Sequence, residues 1–173
     1  MTRAWQTAWF LGVALIAALA GYFLNPLTRE PKVDTGALMA TSLPDMQGQR
    51  RQIGEWRGKV LVVNFWATWC PPCLKEVPEL VRLQGRLGSN DLQIIGIAVD
   101  SETNVRQFAQ THPINYPVLI GNAGAIELSR LAGNARGGLP YTIVLDRKGR
   151  ALRLFHGDLT EATLAPFVDR ALR

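Results

Sequence analysis

Two cysteines separated by two prolines, Cys70-Pro71-Pro72-Cys73, are the only cysteines in the chain. A thiolate is the attacking species in thiol–disulfide exchange, and a pair this close can pass between dithiol and disulfide. A tetrahedral structural zinc site needs four ligands, and no further cysteine or nearby histidine supplies the rest. A structural disulfide is the plain alternative. Closing a four-residue loop, however, constrains the unfolded chain very little. The residues therefore point to a redox couple, with no cofactor beyond the Cys70–Cys73 disulfide and no metal at the site. His112 and His156 lie far apart in sequence and are read as non-ligands.

Such a pair needs a scaffold that favours negative charge on one sulfur. Lys59 to Ala67 is a nearly continuous apolar run, suited to a strand covered on both faces. The spacing of Leu80, Leu83, Gln84 and Leu87 predicts a helix from near Pro72 to about Leu87. Cys70 then sits just before a helix N-terminus, where free N–H groups and the helix dipole stabilise a thiolate. That makes Cys70 the expected nucleophile. Cys73, one turn on, becomes the buried resolving thiol, and Pro72 fits the first turn because it needs no N–H partner.

Around this unit the pattern alternates. Leu43 to Ile53 reads as a short hairpin turning at Gln47-Gly48-Gln49. Leu92 to Val99 is a second buried strand and Ser101 to His112 a helix with Val105, Phe108 and Ala109 on one face. Tyr116 to Ile120 is a short strand and Ala123 to Leu131 a short helix. Tyr141 to Leu145 and Ala151 to Phe155 are strands joined at Asp146-Arg147-Lys148-Gly149. Thr160 to Leu172 closes the chain as an amphipathic helix. The expected fold is α/β, a mixed central sheet flanked by helices, with a β-hairpin extension at its start.

The first thirty or so residues differ in composition. Ala8 to Leu24 carries no charge, and with Ala4 to Thr7 it reaches about 30 Å as a helix, enough to cross a bilayer. Arg3 precedes it, which favours an N-inside orientation. Ala18-Leu19-Ala20 fits a small-x-small cleavage site, so a cleaved signal peptide is the other reading. Either way the rest of the chain is exported. The expected organisation is an N-terminal anchor over 1–24, a linker over 25–36 and one domain over 37–173. The net charge is +5 over 173 residues. Its basic excess is scattered, which reads as a solvated surface and not a nucleic-acid interface.

The segment VVNFWATWCPPCLKEVP resembles the active-site segment of the TlpA/ResA family, membrane-anchored thioredoxin-like proteins of bacteria. The likeness runs from the Leu43 hairpin through Gly138-Leu139-Pro140-Tyr141-Thr142-Ile143-Val144-Leu145-Asp146 to the closing helix, about four-fifths of the chain. The resemblance implies a thioredoxin-like fold and a cis peptide bond at Pro140. It also implies pairing of the backbone around Leu139 with an extended substrate, a form of β-augmentation. Trp69, Pro71, Pro72, Leu139 and Pro140 would then form the substrate surface, Trp66 would pack as core beside it, and Pro78 would kink the helix as part of the scaffold. Glu76 matches the family's acidic residue near the two sulfurs, a carboxylate able to exchange protons with Cys73. Thioredoxin has a buried aspartate at the position of Asn64 and this chain does not, so if a buried proton acceptor is needed Glu76 is the remaining candidate. The other reading of Glu76 is a solvated glutamate favoured by the helix dipole.

The leading expectation is an extracytoplasmic thiol:disulfide oxidoreductase on a single-pass bacterial inner-membrane anchor, its domain in the periplasm. It would reduce disulfides in exported proteins and be recharged by a membrane thiol electron donor. By family analogy its substrates include apocytochromes c or copper-site assembly proteins. The alternatives are a disulfide-donating oxidase and a Cu(I)-binding metallochaperone, since soft thiolates bind Cu(I). A peroxiredoxin would carry Pro and Thr ahead of its reactive cysteine in P-x-x-x-T-x-x-C, where this chain has Val63 and Ala67.

Overall fold

The computed structural model describes residues 12–14, 33–88 and 91–172. The expected anchor falls outside these residues except for 12–14, which are helical. Among the described residues no helix is long and apolar enough to cross a membrane. The residues from Val33 onward form one compact unit.

That unit begins with α1 (Thr35–Ala40), whose N-terminus is capped by Asp34 accepting from the Ala37 N–H at 2.9 Å. Thr35 and Gly36, at the end of the expected linker, already belong to it. Strands β1 (Ser42–Pro44) and β2 (Arg50–Gln52) pair antiparallel as the expected hairpin. Asp45 shapes the turn by accepting from the Gln47 and Gln49 N–H groups, and Gly48 sits at φ 79°, a conformation glycine adopts without steric cost. A single bridge between Asp45 and Leu119 ties the hairpin to the edge of the main sheet. A 3-10 turn, Ile53–Trp56, follows.

The main sheet contains β3 (Val60–Trp66), β4 (Leu92–Ala98), β5 (Val118–Ile120), β6 (Tyr141–Leu145) and β7 (Ala151–His156), in the order β5-β4-β3-β6-β7. β3 pairs parallel with β4 and antiparallel with β6, so the sheet is mixed as expected. Every residue of β3 is buried, the consequence of helices on both faces. The helices are α2 (Pro71–Leu87), α3 (Glu102–Thr111), α4 (Gly124–Leu131) and α5 (Glu161–Leu172). The core is continuous from Leu38 of α1 to Val168 of α5.

This arrangement sets the site. β3 runs toward Cys70, and its antiparallel partner β6 begins where β3 ends, with Phe65 opposite Tyr141. The peptide before β6, Leu139–Pro140, thus lies at the same end of the sheet as the N-terminus of α2.

Candidate active site

Cys70 is the N-cap of α2, with extended backbone at φ −102° and ψ 99°. Pro71 and Pro72 fill the first two helical positions and have no N–H to offer. The first donor of the helix is therefore the Cys73 N–H, and it is directed to Cys70 Sγ at 3.3 Å. Cys70 and Cys73 are joined as a disulfide with their Cα atoms 5.3 Å apart. Cys70 retains 5% exposure and Cys73 none, so an incoming group meets Cys70 first. Trp69, immediately before, is 63% exposed, whereas Trp66 is fully buried with its ring 5.3 Å from that of Phe108.

The turn that presents Trp69 and Cys70 is tethered from the loop that follows β4. Asp100 accepts from both the N–H and the hydroxyl of Thr68, and from the Ser101 N–H and the Asn104 amide. Burial raises the Asp100 carboxyl, but the hydrogen bonds from Thr68, Asn104 and Ser101 outweigh it and hold the group below its ordinary value.

Glu76 is one helical turn beyond Cys73 and only 2% exposed. Its carboxyl stands at about 8, raised from 4.5 chiefly by desolvation. The backbone of Leu159 and the side chain of Asn64 draw it back down, and the charge of Asp158 lifts it further. Asn64 Nδ2 donates to Glu76 Oε2 at 3.0 Å and to Thr142 Oγ1 at 2.9 Å. The Leu159 N–H approaches the carboxyl, yet Glu76 Oε1 has no partner of good hydrogen-bond geometry. Among the described residues no hydrogen bond joins Glu76 to either sulfur; its link to the sheet is Asn64.

The Leu139–Pro140 peptide is cis, as the resemblance implied. Pro140 is buried and its carbonyl accepts from the Gly157 N–H, while Leu139 is half-buried. The structure thus gathers Trp69, Cys70, Pro71, Pro72, Cys73 and Glu76 on one turn and helix start, with Leu139 and Pro140 on the strand end beside them. His112 stacks on Phe108 and His156 packs against Tyr141.

Sequence reasoning missed three contributors. Asn64 counted only as a missing aspartate, although a lone amide in an apolar strand must find partners; its partners are Glu76 and Thr142. Asp100, which tethers Thr68, and the Asp158-Leu159 pair facing Glu76 had no local signature.

The sequence profile of the AhpC/TSA family matches residues 36–153. The thiol-disulfide oxidoreductase ResA of Geobacillus thermodenitrificans is 28% identical over 159 residues, covering 90% of this chain and 89% of that protein. The thioredoxin-like protein YneN of Bacillus subtilis is 28% identical over 170 residues, covering 93% and 96%. Among solved structures, a thiol:disulfide interchange protein of the thioredoxin family from Chlorobium tepidum is similar. It superposes with a TM-score of 0.67 at 29% identity, over 84% of this chain and 99% of that one.

Proposed function

The chain belongs to the AhpC/TSA family and is a thiol:disulfide oxidoreductase with a thioredoxin-like fold, and we propose that it works as a reductant of disulfides in exported proteins. In the reduced state the Cys70 thiolate, favoured by the Cys73 N–H, attacks a substrate disulfide. One substrate sulfur leaves as a thiolate and a Cys70–substrate mixed disulfide forms. Cys73 then gives its thiol proton to the Glu76 carboxylate, and its sulfur attacks Cys70 Sγ. The mixed disulfide breaks, the second substrate sulfur leaves, and the Cys70–Cys73 disulfide closes. Two electrons pass from the dithiol to the substrate. A membrane thiol electron donor returns them, with Glu76 giving its proton back to Cys73.

The observation that carries the reductant direction is the buried Glu76 one turn from Cys73. A pair is a strong oxidant when its reduced form is stabilised. The same desolvation that holds the Glu76 carboxyl protonated disfavours any negative charge beside it, which makes a Cys73 thiolate costly and the disulfide form the preferred one. The Cys73 N–H to Cys70 Sγ contact pulls toward the opposite direction, a disulfide donor. We weigh the buried carboxyl more heavily because it lies in a medium of lower dielectric.

Exposed Trp69 and the first-turn prolines, Pro71 and Pro72, form one wall of the substrate surface. The Leu139 backbone beside Pro140 forms the other and pairs with an extended segment. Residues 1–24 anchor the chain in the bacterial inner membrane and place the domain on the periplasmic side. Substrates of this class include apocytochromes c before haem attachment and copper-site proteins.

The test is the redox state of Cys70 and Cys73 in living cells, trapped by acid quenching and counted by thiol alkylation. A mostly reduced pair is expected, since only a dedicated electron supply maintains it in a compartment that oxidises thiols. A mostly oxidised pair would turn the assignment round to a disulfide donor.

A further inference from the structure

Five buried side-chain polar atoms lack a hydrogen-bond partner among the described residues, and four belong to Asn64, Trp66, Glu76 and Tyr116. These residues are 1%, 0%, 2% and 4% exposed. Trp66 and Tyr116 flank Gly96, the residue of β4 that pairs with Asn64. Asn64 and Trp66 alternate onto one face of β3, and a Cβ at Gly96 would stand 3.0 Å from Trp66 Nε1 and 3.3 Å from Tyr116 Cε2. Glu76 joins this group from α2 by accepting from Asn64. The charge of Glu76 also reaches the Tyr116 phenol, adding to the effect of its burial.

Buried polar groups in folded proteins are almost always satisfied, by protein or by ordered water. The four atoms here are two donors, Trp66 Nε1–H and the Tyr116 hydroxyl, and two acceptors, Asn64 Oδ1 and Glu76 Oε1. A water molecule accepts two hydrogen bonds and donates two, so the set is matched to water. A metal ion would be repelled by the indole N–H, and an apolar ligand would leave all four unsatisfied.

We propose that the cluster beside Gly96 encloses a chamber that holds an ordered water, and that Tyr116 is a positioning residue which acts through that water on the Glu76 carboxyl. The proposal rests on the reading that Glu76 carries the Cys73 proton. Tyr116 donates to the water, the water donates to Glu76 Oε1, and the carboxylate that receives the proton is thereby held ready. The other groups facing Glu76 are the Asn64 amide from β3, with Thr142 of β6 behind it, and Asp158 with the Leu159 N–H before α5. On its own helix are Cys73 and the exposed Lys75.

The experiment compares the full chain with Y116F, E76Q and the double variant. It reads the rate of exchange with a disulfide-bonded peptide against pH and the carbon-13 titration of the Glu76 carboxyl, alongside a high-resolution crystal structure. Losing the hydroxyl that orients the water toward the ionised carboxylate raises the Glu76 midpoint by about half a unit, so exchange at pH 7 falls about threefold in Y116F. The double variant follows E76Q, and density for water appears between Tyr116 Oη and Glu76 Oε1. A Y116F titration that superposes on wild type, or a dry chamber, overturns the water site while an effect in E76Q keeps Glu76 as proton carrier. An E76Q pH profile identical to wild type overturns both.

Discussion

Asn64 Nδ2 lies 3.0 Å from Glu76 Oε2, and the same nitrogen lies 2.9 Å from Thr142 Oγ1. One amide of the central strand thus fixes the carboxyl of the active-site helix and ties both to β6. The strand is buried along its whole length, so the amide nitrogen is shielded from bulk solvent and makes its two bonds within the protein. The consequence is a carboxyl held at a fixed place without being fully neutralised. Desolvation keeps it largely protonated at neutral pH, while the amide, as a hydrogen-bond donor, favours the ionised form enough to let it cycle.

Asn64→Ala removes that donor and leaves Glu76 and Thr142 unsatisfied in the core. A loss of about 2–3 kcal/mol in unfolding free energy is expected from stranding buried polar groups. Urea denaturation at pH 6 should show a lower midpoint at an unchanged m-value, and the Glu76 carboxyl should titrate higher than in wild type. A change under about 0.5 kcal/mol, the range of ordinary surface substitutions, would mean that the amide is not an organising contact.

Cys70 is the more accessible sulfur and Cys73 the enclosed one, which sets opposite outcomes for their removal. Cys70→Ala should abolish exchange, since no nucleophile reaches the substrate. Cys73→Ala should retain attack but lose resolution, accumulating mixed disulfides visible on non-reducing gels and by intact mass. Full turnover by Cys73→Ala would show that the two roles are misassigned.

Asp100 holds the turn that leads into Cys70 through two bonds to Thr68. Its folded carboxyl lies below the ordinary value of 3.8, so the stability it contributes is present above that value and is lost as pH falls through the lowered one. Asp100→Ala should cost about 2–3 kcal/mol at pH 7 by leaving four donors short of an acceptor. Differential scanning calorimetry between pH 2 and 5 should show a shallower acid limb in the variant. An acid limb parallel to wild type would remove Asp100 from the groups that set it.

The elements around the cysteines were legible because each has a strong local signal. The apolar run of β3, the two prolines of α2 and the turn residues Asp146 and Gly149 specify their conformations within a few positions. α1 was not legible. Its six residues place only Leu38 and Met39 in the core, too few for a helical period to register. The site was legible where chemistry is carried by residue type, at Cys70 and Cys73, whereas Glu76 was singled out through the resemblance. It was opaque where a role is created by distant strands meeting: Thr142 reaches Asn64 across 78 positions and Asp100 reaches Thr68 across 32. No local pattern encodes a pairing of that span. The cis peptide at Pro140 came through the resemblance alone, because an isolated X-Pro bond favours trans.

The buried Glu76 carries a cost in stability with a definite pH window. Its carboxyl keeps a proton to about pH 8 in the folded chain, against 4.5 as the ordinary value for the unfolded one. Between these values the folded state binds more protons than the unfolded state, so stability must fall as pH rises. The contribution is fully present below about 4.5 and is gone above about 8. Glu76→Gln keeps the shape and an amide in place of the protonated acid, and it cannot ionise. The variant should match wild type near pH 4.5 and become the more stable of the two, by some kcal/mol, above pH 8. Urea unfolding of the oxidised proteins at pH 4.5, 6, 7 and 8.5 measures the difference. If the two curves stay parallel across that range, Glu76 ionises in the folded protein as readily as in water. Its place beside Cys73 would then be that of an ordinary helix glutamate, with no part in moving the thiol proton.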